Sequence, residues 1–170
     1  MKSTIFTTSG KLIDPFDIDP DRIIIEDIAN ALSHIPRFGG HTPIFYSVSS
    51  HSINCSLSAN SSSIDALFLL LHDASEAYLL DIPRPVKERL PQYIEAEKAV
   101  QNAIYTKFIG RLPNKRELEL IEIIDNQLLD IEISAFFGKS EKMYNLLCGT
   151  RIYTRELFIS RFNKLCQLKQ

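Results

Sequence analysis

Apolar residues recur along this chain at helical spacing, and short Pro-, Gly- or Ser-marked breaks separate one periodic run from the next. Only the start departs from that rhythm. Residues 4–13 hold two alternating runs, TIFTT and KLID, around Ser9-Gly10, the pattern of a small hairpin. An acidic loop, 14–21, follows. Residues 23–35 then place Ile24, Ile28, Ala31, Leu32 and Ile35 at helical intervals, and Pro36 stops them. Arg37-Phe38-Gly39-Gly40-His41 reads as a loop, because paired glycines are poor in either regular structure. Ser47 is placed to cap a helix to residue 59, with Val48, His51 and Cys55 on one face. After a serine cluster, a helix starting near Ser63 should carry the apolar run 67–71 through to Leu80, with Pro83 and Pro85 ending it.

Pro83 suits the first turn of a short helix to 90. Residues 93–109 are amphipathic and end at Gly110. Asn114 with Glu117 three residues on resembles a capping box, opening a long helix to about 137 that Gly138 closes. Further helices are expected over 143–147 and 153–168. The pattern predicts an all-α bundle with a short N-terminal β-hairpin.

Composition narrows the function classes more than the fold. At 170 residues the chain is expected to form one domain, 1–170, able to bury a sizeable core without staples. Nineteen basic against 21 acidic residues give a net charge of −2, which argues against bulk electrostatic binding of a nucleic-acid polymer. No apolar run approaches the roughly 20 residues of a membrane span. The first residues, MKSTIFTTSGK, lack the apolar stretch of a signal peptide, so a cytoplasmic protein is expected. Three scattered cysteines fit free thiols.

The chemistry lies where polar residues interrupt apolar stripes. His72, Asp73 and Glu76 rise directly out of the 67–71 run; on one continuous helix His72 and Glu76 would stack at i,i+4, with Asp73 and Glu76 meeting at i,i+3. A buried carboxylate costs several kcal/mol unless paired, hydrogen-bonded or bound to a metal. Asp125 stands in the stripe Ile121, Ile124, Leu128, Leu129, whereas Asp130 has no need to face inward. His51, between Val48 and Cys55, is a third conflict of the same kind. Each alone is explained by an interior imidazole bonded to a carbonyl, or by an Asp closing a buried ion pair. Three on three helices of one bundle are harder to dismiss. His51, His72, Asp73 and Asp125 make a mixed nitrogen and oxygen set that suits Mn, Fe, Co, Ni or Zn. Cys55 is i+4 from His51, but no third orienting group marks it as a nucleophile, and a small buried Cys is ordinary core material.

The pattern of His51, His72-Asp73 and Asp125 resembles the HD superfamily of metal-dependent phosphohydrolases, which are all-helical bundles. Residues 72–76, HDASE, with 81–87, DIPRPVK, are similar to the branch holding bacterial 5′-deoxyribonucleotidases and their small phage and prophage relatives. So are 37–41, RFGGH, and 45–51, FYSVSSH. The resemblance spans about residues 5–135. It implies that His51, His72, Asp73 and Asp125 bind the metal and that Glu76 and Asp81 are the catalytic carboxylates. Arg37 would contact phosphate, and Phe38 stands where the deoxynucleotidases carry a Trp beside the ribose. His41, Arg84 and Lys87 are further candidates for substrate contact. One departure follows Asp125: the branch often continues LLATERRD, while this chain reads LLDIEIS over 128–134, without the Arg pair.

The resemblance implies hydrolysis of deoxynucleoside 5′-monophosphates to deoxynucleoside and phosphate, with Co, Mn, Zn, Ni or Fe, and it leaves Mg at a second site open. A phage-type dNTP triphosphohydrolase acting on dATP is the alternative within the same chemistry. A catalytically inactive nucleotide-binding sensor is the alternative of another class, and it would be expected to have lost one of these six positions; all are filled. The expected partners are a small nucleotide substrate and further copies of the chain in a homo-oligomer, dimer or larger, with no membrane.

Overall fold

The two alternating runs at the start pair as expected. In a computed structural model, which describes residues 4–59, 62–138 and 146–168, β1 (Ile5–Phe6) and β2 (Leu12–Ile13) are antiparallel, with Ile5 opposite Ile13 and Phe6 opposite Leu12. The turn is tied to the helices: Ser9 donates through its backbone N–H and its hydroxyl to the Asp27 carboxylate at 2.8 and 2.6 Å. Among the described residues, everything after the hairpin is helix or connection: α1 (Ile25–His34), α2 (Val48–Ser58), α3 (Ser63–Leu71), α4 (Glu76–Leu79), α5 (Arg84–Lys87), α6 (Pro91–Ile109), α7 (Lys115–Phe137) and α8 (Arg151–Leu168). The fold is all-α with a short N-terminal hairpin. No helix among the described residues is long and apolar enough to cross a membrane.

The local signals act where they were expected. Ser47 accepts from the Ser50 N–H at 3.1 Å and starts α2. Asn114 and Glu117 form a reciprocal capping box at the head of α7. Gly110 ends α6 with φ of +87°, a conformation that costs glycine little and other residues more.

Helix α2 is the centre of the molecule. It is buried from Val48 to Ser56 and packs against α1, α3, α7 and α8. Small residues make that crowding possible. Ser49 and Ser56 bring hydroxyls instead of bulk and satisfy them on carbonyls of the neighbouring helices, Thr154 at 3.2 Å and Ala66 at 2.8 Å. Helix α3 supplies the apolar anchor. Residues 67–71 are all fully buried, each worth roughly 1.5–3 kcal/mol relative to an exposed side chain. That burial fixes the position of His72 at the helix end.

One expectation needs correction. The single helix expected over 67–80 is two, α3 and α4, separated by a tighter turn. There the backbone bonds run to the third residue back: Ala74 N–H to Leu71 O at 3.0 Å, Glu76 N–H to Asp73 O at 3.1 Å and Tyr78 N–H to Ser75 O at 3.0 Å. Such winding turns about 120° per residue and eclipses i with i+3. Asp73 remains close enough to act on the Glu76 carboxyl, while the i,i+4 geometry of one continuous helix no longer relates Glu76 to His72. The helix expected over 143–147 lies mostly outside the described residues, and Leu146 and Leu147, which are described, are not helical.

Candidate metal centre

Three helices and one turn converge on a single point. His51 comes from the middle of α2, His72 from the end of α3, Asp73 from the turn after it and Asp125 from α7. His51 Nε2 lies 3.2 Å from His72 Nε2, 3.1 Å from Asp125 Oδ1 and 3.5 Å from Asp73 Oδ2. His72 Nε2 lies 3.3 Å from Asp73 Oδ2 and 3.8 Å from Asp125 Oδ1. Both imidazoles have committed their other nitrogen. His72 Nδ1 donates to the Leu69 carbonyl at 2.7 Å, and His51 Nδ1 donates to Glu132 at 2.6 Å. Neutral rings fixed in this tautomer turn their Nε2 lone pairs toward each other and toward two carboxylate oxygens.

Four electron-pair donors facing one another need a positive charge among them. A proton on the imidazoles is one answer. It accounts for His51 being raised well above the ordinary imidazole range and His72 being pushed up to about 9: burial opposes both shifts, and the surrounding acceptors, with Asp73 foremost at His72, overcome it. Asp125 is held far below the usual carboxylate range by the two imidazoles beside it, His51 closest at 3.1 Å, which outweigh the upward push of its own burial. A divalent ion is the other answer. Separations of 3.1–3.8 Å between the donors match the edges of a coordination polyhedron with ligand bonds of about 2.0–2.2 Å. The two imidazoles, Asp125 and the nearby Cys55 offer one donor atom each within 4.8 Å of one another. The group fits a metal ion.

A layer behind the donors holds them in place, and its central residue is one the sequence reading passed over. Glu132 is fully buried. Its carboxylate accepts from His51 Nδ1, from the Tyr46 hydroxyl at 2.8 Å and from Arg37 Nη2 at 3.0 Å. These donors keep Glu132 below the usual carboxylate range although burial pushes it up. Arg37 and Tyr46 lie at the two ends of a loop closed at its neck, where Arg37 N–H donates to Tyr46 O at 2.9 Å and Pro36 pairs with Ser47. One signal pointed to Glu132: it stands seven residues after Asp125 and four after Leu128, on the same stripe of α7. Asp130 is exposed, as expected.

A cleft of about 210 Å³ opens beside the donors, lined by Arg37, Phe38, Asp73, Glu76, Asp81, Arg84, Lys87 and Asp125, with Ile82 and Leu129. It contains every sequence-predicted site residue except His51, His72 and His41. The two imidazoles are buried beneath it, whereas His41 is exposed. Arg37 Nη1 sits 3.6 Å from Asp73, so this guanidinium is held between two carboxylates at the cleft wall. Phe38 has φ of +56°, followed by +60° and +80° at Gly39 and Gly40. Three left-handed residues in succession explain why glycines follow it. Its ring packs edge-on to Phe137 at 5.4 Å. Glu76 Oε2 is buried without a hydrogen-bond partner among the described residues. Burial, with Asp73 and Asp81 close by, raises Glu76 well above the usual carboxylate range; burial raises Asp81 as well, against the pull of Arg37.

Fold and donor set together describe an all-α protein with a His, Cys and Asp group that could hold a metal ion. No protein-family model matches the chain. It is 34% identical over 178 residues to the uncharacterized protein YfdR of Escherichia coli strain K12, covering 99% of this chain and 98% of that relative. It is also 31% identical over 140 residues to an uncharacterized protein of Rhodobacter capsulatus, covering 75% of this chain and 71% of the relative. The chain belongs to the same family as YfdR.

Proposed function

We propose that this protein is an HD-type metal-dependent phosphohydrolase whose substrate is a deoxynucleoside 5′-monophosphate. The observation that carries the reading is the convergence of His51, His72, Asp73 and Asp125 on one point beside a cleft that holds Arg37, Arg84 and Lys87 together with Glu76 and Asp81. A divalent ion held by these four residues would supply Lewis acidity at a phosphoryl oxygen and a water of lowered pKa.

The chain's own residues supply the rest. Arg37, kept planar and in place by Glu132 and Asp73, presents a guanidinium at the cleft wall, and such a fork suits a phosphate. Arg84 and Lys87 add positive charge to the same cleft; Lys87 is steadied by Glu97 at 2.6 Å. Glu76 is the favoured proton carrier, because burial beside two other carboxylates raises its proton affinity well above the usual carboxylate range. It would pass that proton to the departing 5′-oxygen. Asp81 is the second carboxylate, with a weaker lift. The choice of a monophosphate over a dNTP rests on the resemblance of residues 72–76 and 81–87 to the deoxynucleotidase branch.

The test is hydrolysis of a panel of dNMPs, NMPs and dNTPs in Mn, Co, Ni or Zn, with products separated by ion-exchange chromatography. Orthophosphate from dNMPs is the expected result. Intact triphosphate from dATP would replace the reading with a triphosphohydrolase, and no turnover under any metal would replace it with a nucleotide sensor.

A further inference from the structure

Cys55 has no part in the chemistry above, yet it lies against it. It follows His51 by one turn of α2, is fully buried, and has its Sγ 3.5 Å from His51 Nε2. One donor atom from each of His51, Cys55, His72 and Asp125 falls within 4.8 Å of the others. Asp73 and Asp125 line the open cleft. Cys55 packs instead with Leu69, Ile124 and Leu128, on the dry side of the same centre.

We propose that Cys55 is a sulfur ligand of the metal, completing the donor set from the buried side, so that the centre takes a borderline, thiophilic ion such as Zn or Co in preference to Mn or Mg. This rests on the metal-centre reading above. With metal–sulfur bonds of about 2.3 Å and metal–nitrogen bonds of about 2.0–2.1 Å, the sulfur-to-nitrogen edge of a five-coordinate centre runs from about 3.1 Å at a 90° angle to about 3.8 Å at 120°. The separation of Cys55 Sγ from His51 Nε2 is 3.5 Å. The two residues are four apart on one helix, the spacing that aims two side chains at a single ion. On binding, the thiol S–H bond is replaced by a sulfur–metal bond, the electron pair stays on sulfur and the proton leaves to solvent. Thiolate selects Zn and Co over the harder ions that carboxylate and water alone would hold.

Metal-free full-length protein, kept reduced and titrated with Co²⁺, reads the ligand directly. A sulfur ligand gives an intense near-ultraviolet charge-transfer band, while nitrogen and oxygen ligands give only the weak visible bands of the ion. The band should appear in the native protein and in a Cys148→Ser/Cys166→Ser double variant, which keeps Cys55 as its one thiol. It should vanish in Cys55→Ala with the visible bands retained, and the ratio of Zn to Mn affinity should fall on the order of tenfold or more. Visible bands without charge transfer in the native protein would overturn the sulfur ligand and leave the metal centre standing; this outcome does not depend on any variant folding. No cobalt binding at all would overturn both.

Discussion

Glu132 is the residue whose removal should do the most damage without touching the cleft. Replacing it by Gln keeps its volume and changes only its hydrogen-bonding capacity. In the native protein one fully buried carboxylate accepts from three donors: His51 Nδ1 at 2.6 Å, the Tyr46 hydroxyl at 2.8 Å and Arg37 Nη2 at 3.0 Å. An amide retains one accepting oxygen and sets an NH₂ group against whichever donor faced the other. At least one buried donor is then orphaned, at roughly 1–3 kcal/mol. Arg37 also loses its closer counter-charge and keeps only Asp73, at 3.6 Å. Breaking a buried ion pair on one side typically costs about 3–5 kcal/mol, and the remaining Asp73 contact places this case toward the lower end. A loss of about 3–4 kcal/mol is expected for Glu132→Gln.

That number is read as a shift in the urea midpoint at unchanged slope, since the surface exposed on unfolding stays the same. A second readout separates positioning from stability. Glu132 fixes the tautomer of His51, and loss of such a partner behind a metal ligand typically lowers affinity by about 10–100-fold. Titration calorimetry with Zn²⁺ under conditions where the variant is still folded measures it. A variant with native midpoint and native metal affinity would refute the reasoning, because the three short contacts would then carry no energy and His51 would hold its orientation unaided.

His72→Ala or Asp73→Ala should abolish metal retention and turnover together, whereas Glu76→Gln should keep the metal, measured by elemental analysis after dialysis, and lose about 10²–10⁴-fold in rate. Leu80, with φ of 68° and ψ of 160°, occupies a region that only glycine adopts freely. Because its side chain is 62% exposed, Leu80→Gly should relieve about 1–3 kcal/mol of strain against a glycine penalty of about 0.5–1 kcal/mol, and so raise the melting temperature. Glu117 is lowered below its ordinary value of 4.5, first by hydrogen bonds from Arg111, both at 2.7 Å, with burial opposing. Its contribution to stability is therefore complete above that ordinary value and is lost as pH falls through the lowered one; urea midpoints on the acid side should fall more steeply for native protein than for Glu117→Gln.

The helices were legible because their ends are written locally. Ser47, Gly110 and the pair Asn114 and Glu117 each satisfy backbone groups within a few residues, so no tertiary information is needed to place them. His51 and Asp125 were legible for a different reason: each is a polar side chain set in an otherwise apolar stripe, a conflict that burial must resolve. The break at 72–75 was not, since whether a run of good helix formers winds at 100° or 120° per residue depends on what its side chains must reach. Glu132 was hidden by its neighbours. It sits among Asp130, Ser134 and exposed isoleucines, and it becomes interior only because the loop holding Arg37 and Tyr46 folds over it, 86 and more residues away in sequence.

A cleft so acidic could serve the proposed phosphate ester only if its negative charge were offset. Asp73, Glu76, Asp81 and Asp125 face three cations, Arg37, Arg84 and Lys87, across one cleft. Were all ionised, the wall would repel a phosphate. Two arrangements would reduce that repulsion. Burial raises the proton affinity of Glu76 and Asp81, which weakens their tendency to carry charge. Glu132 lies behind the wall, fully buried, and its charge holds Arg37 forward without being presented to the ligand. With the donor oxygens of Asp73 and Asp125 turned to a divalent ion, the proposed substrate would face chiefly Arg37, Arg84 and Lys87. On that reading the acidic residues would build the site and the basic ones would face the ligand.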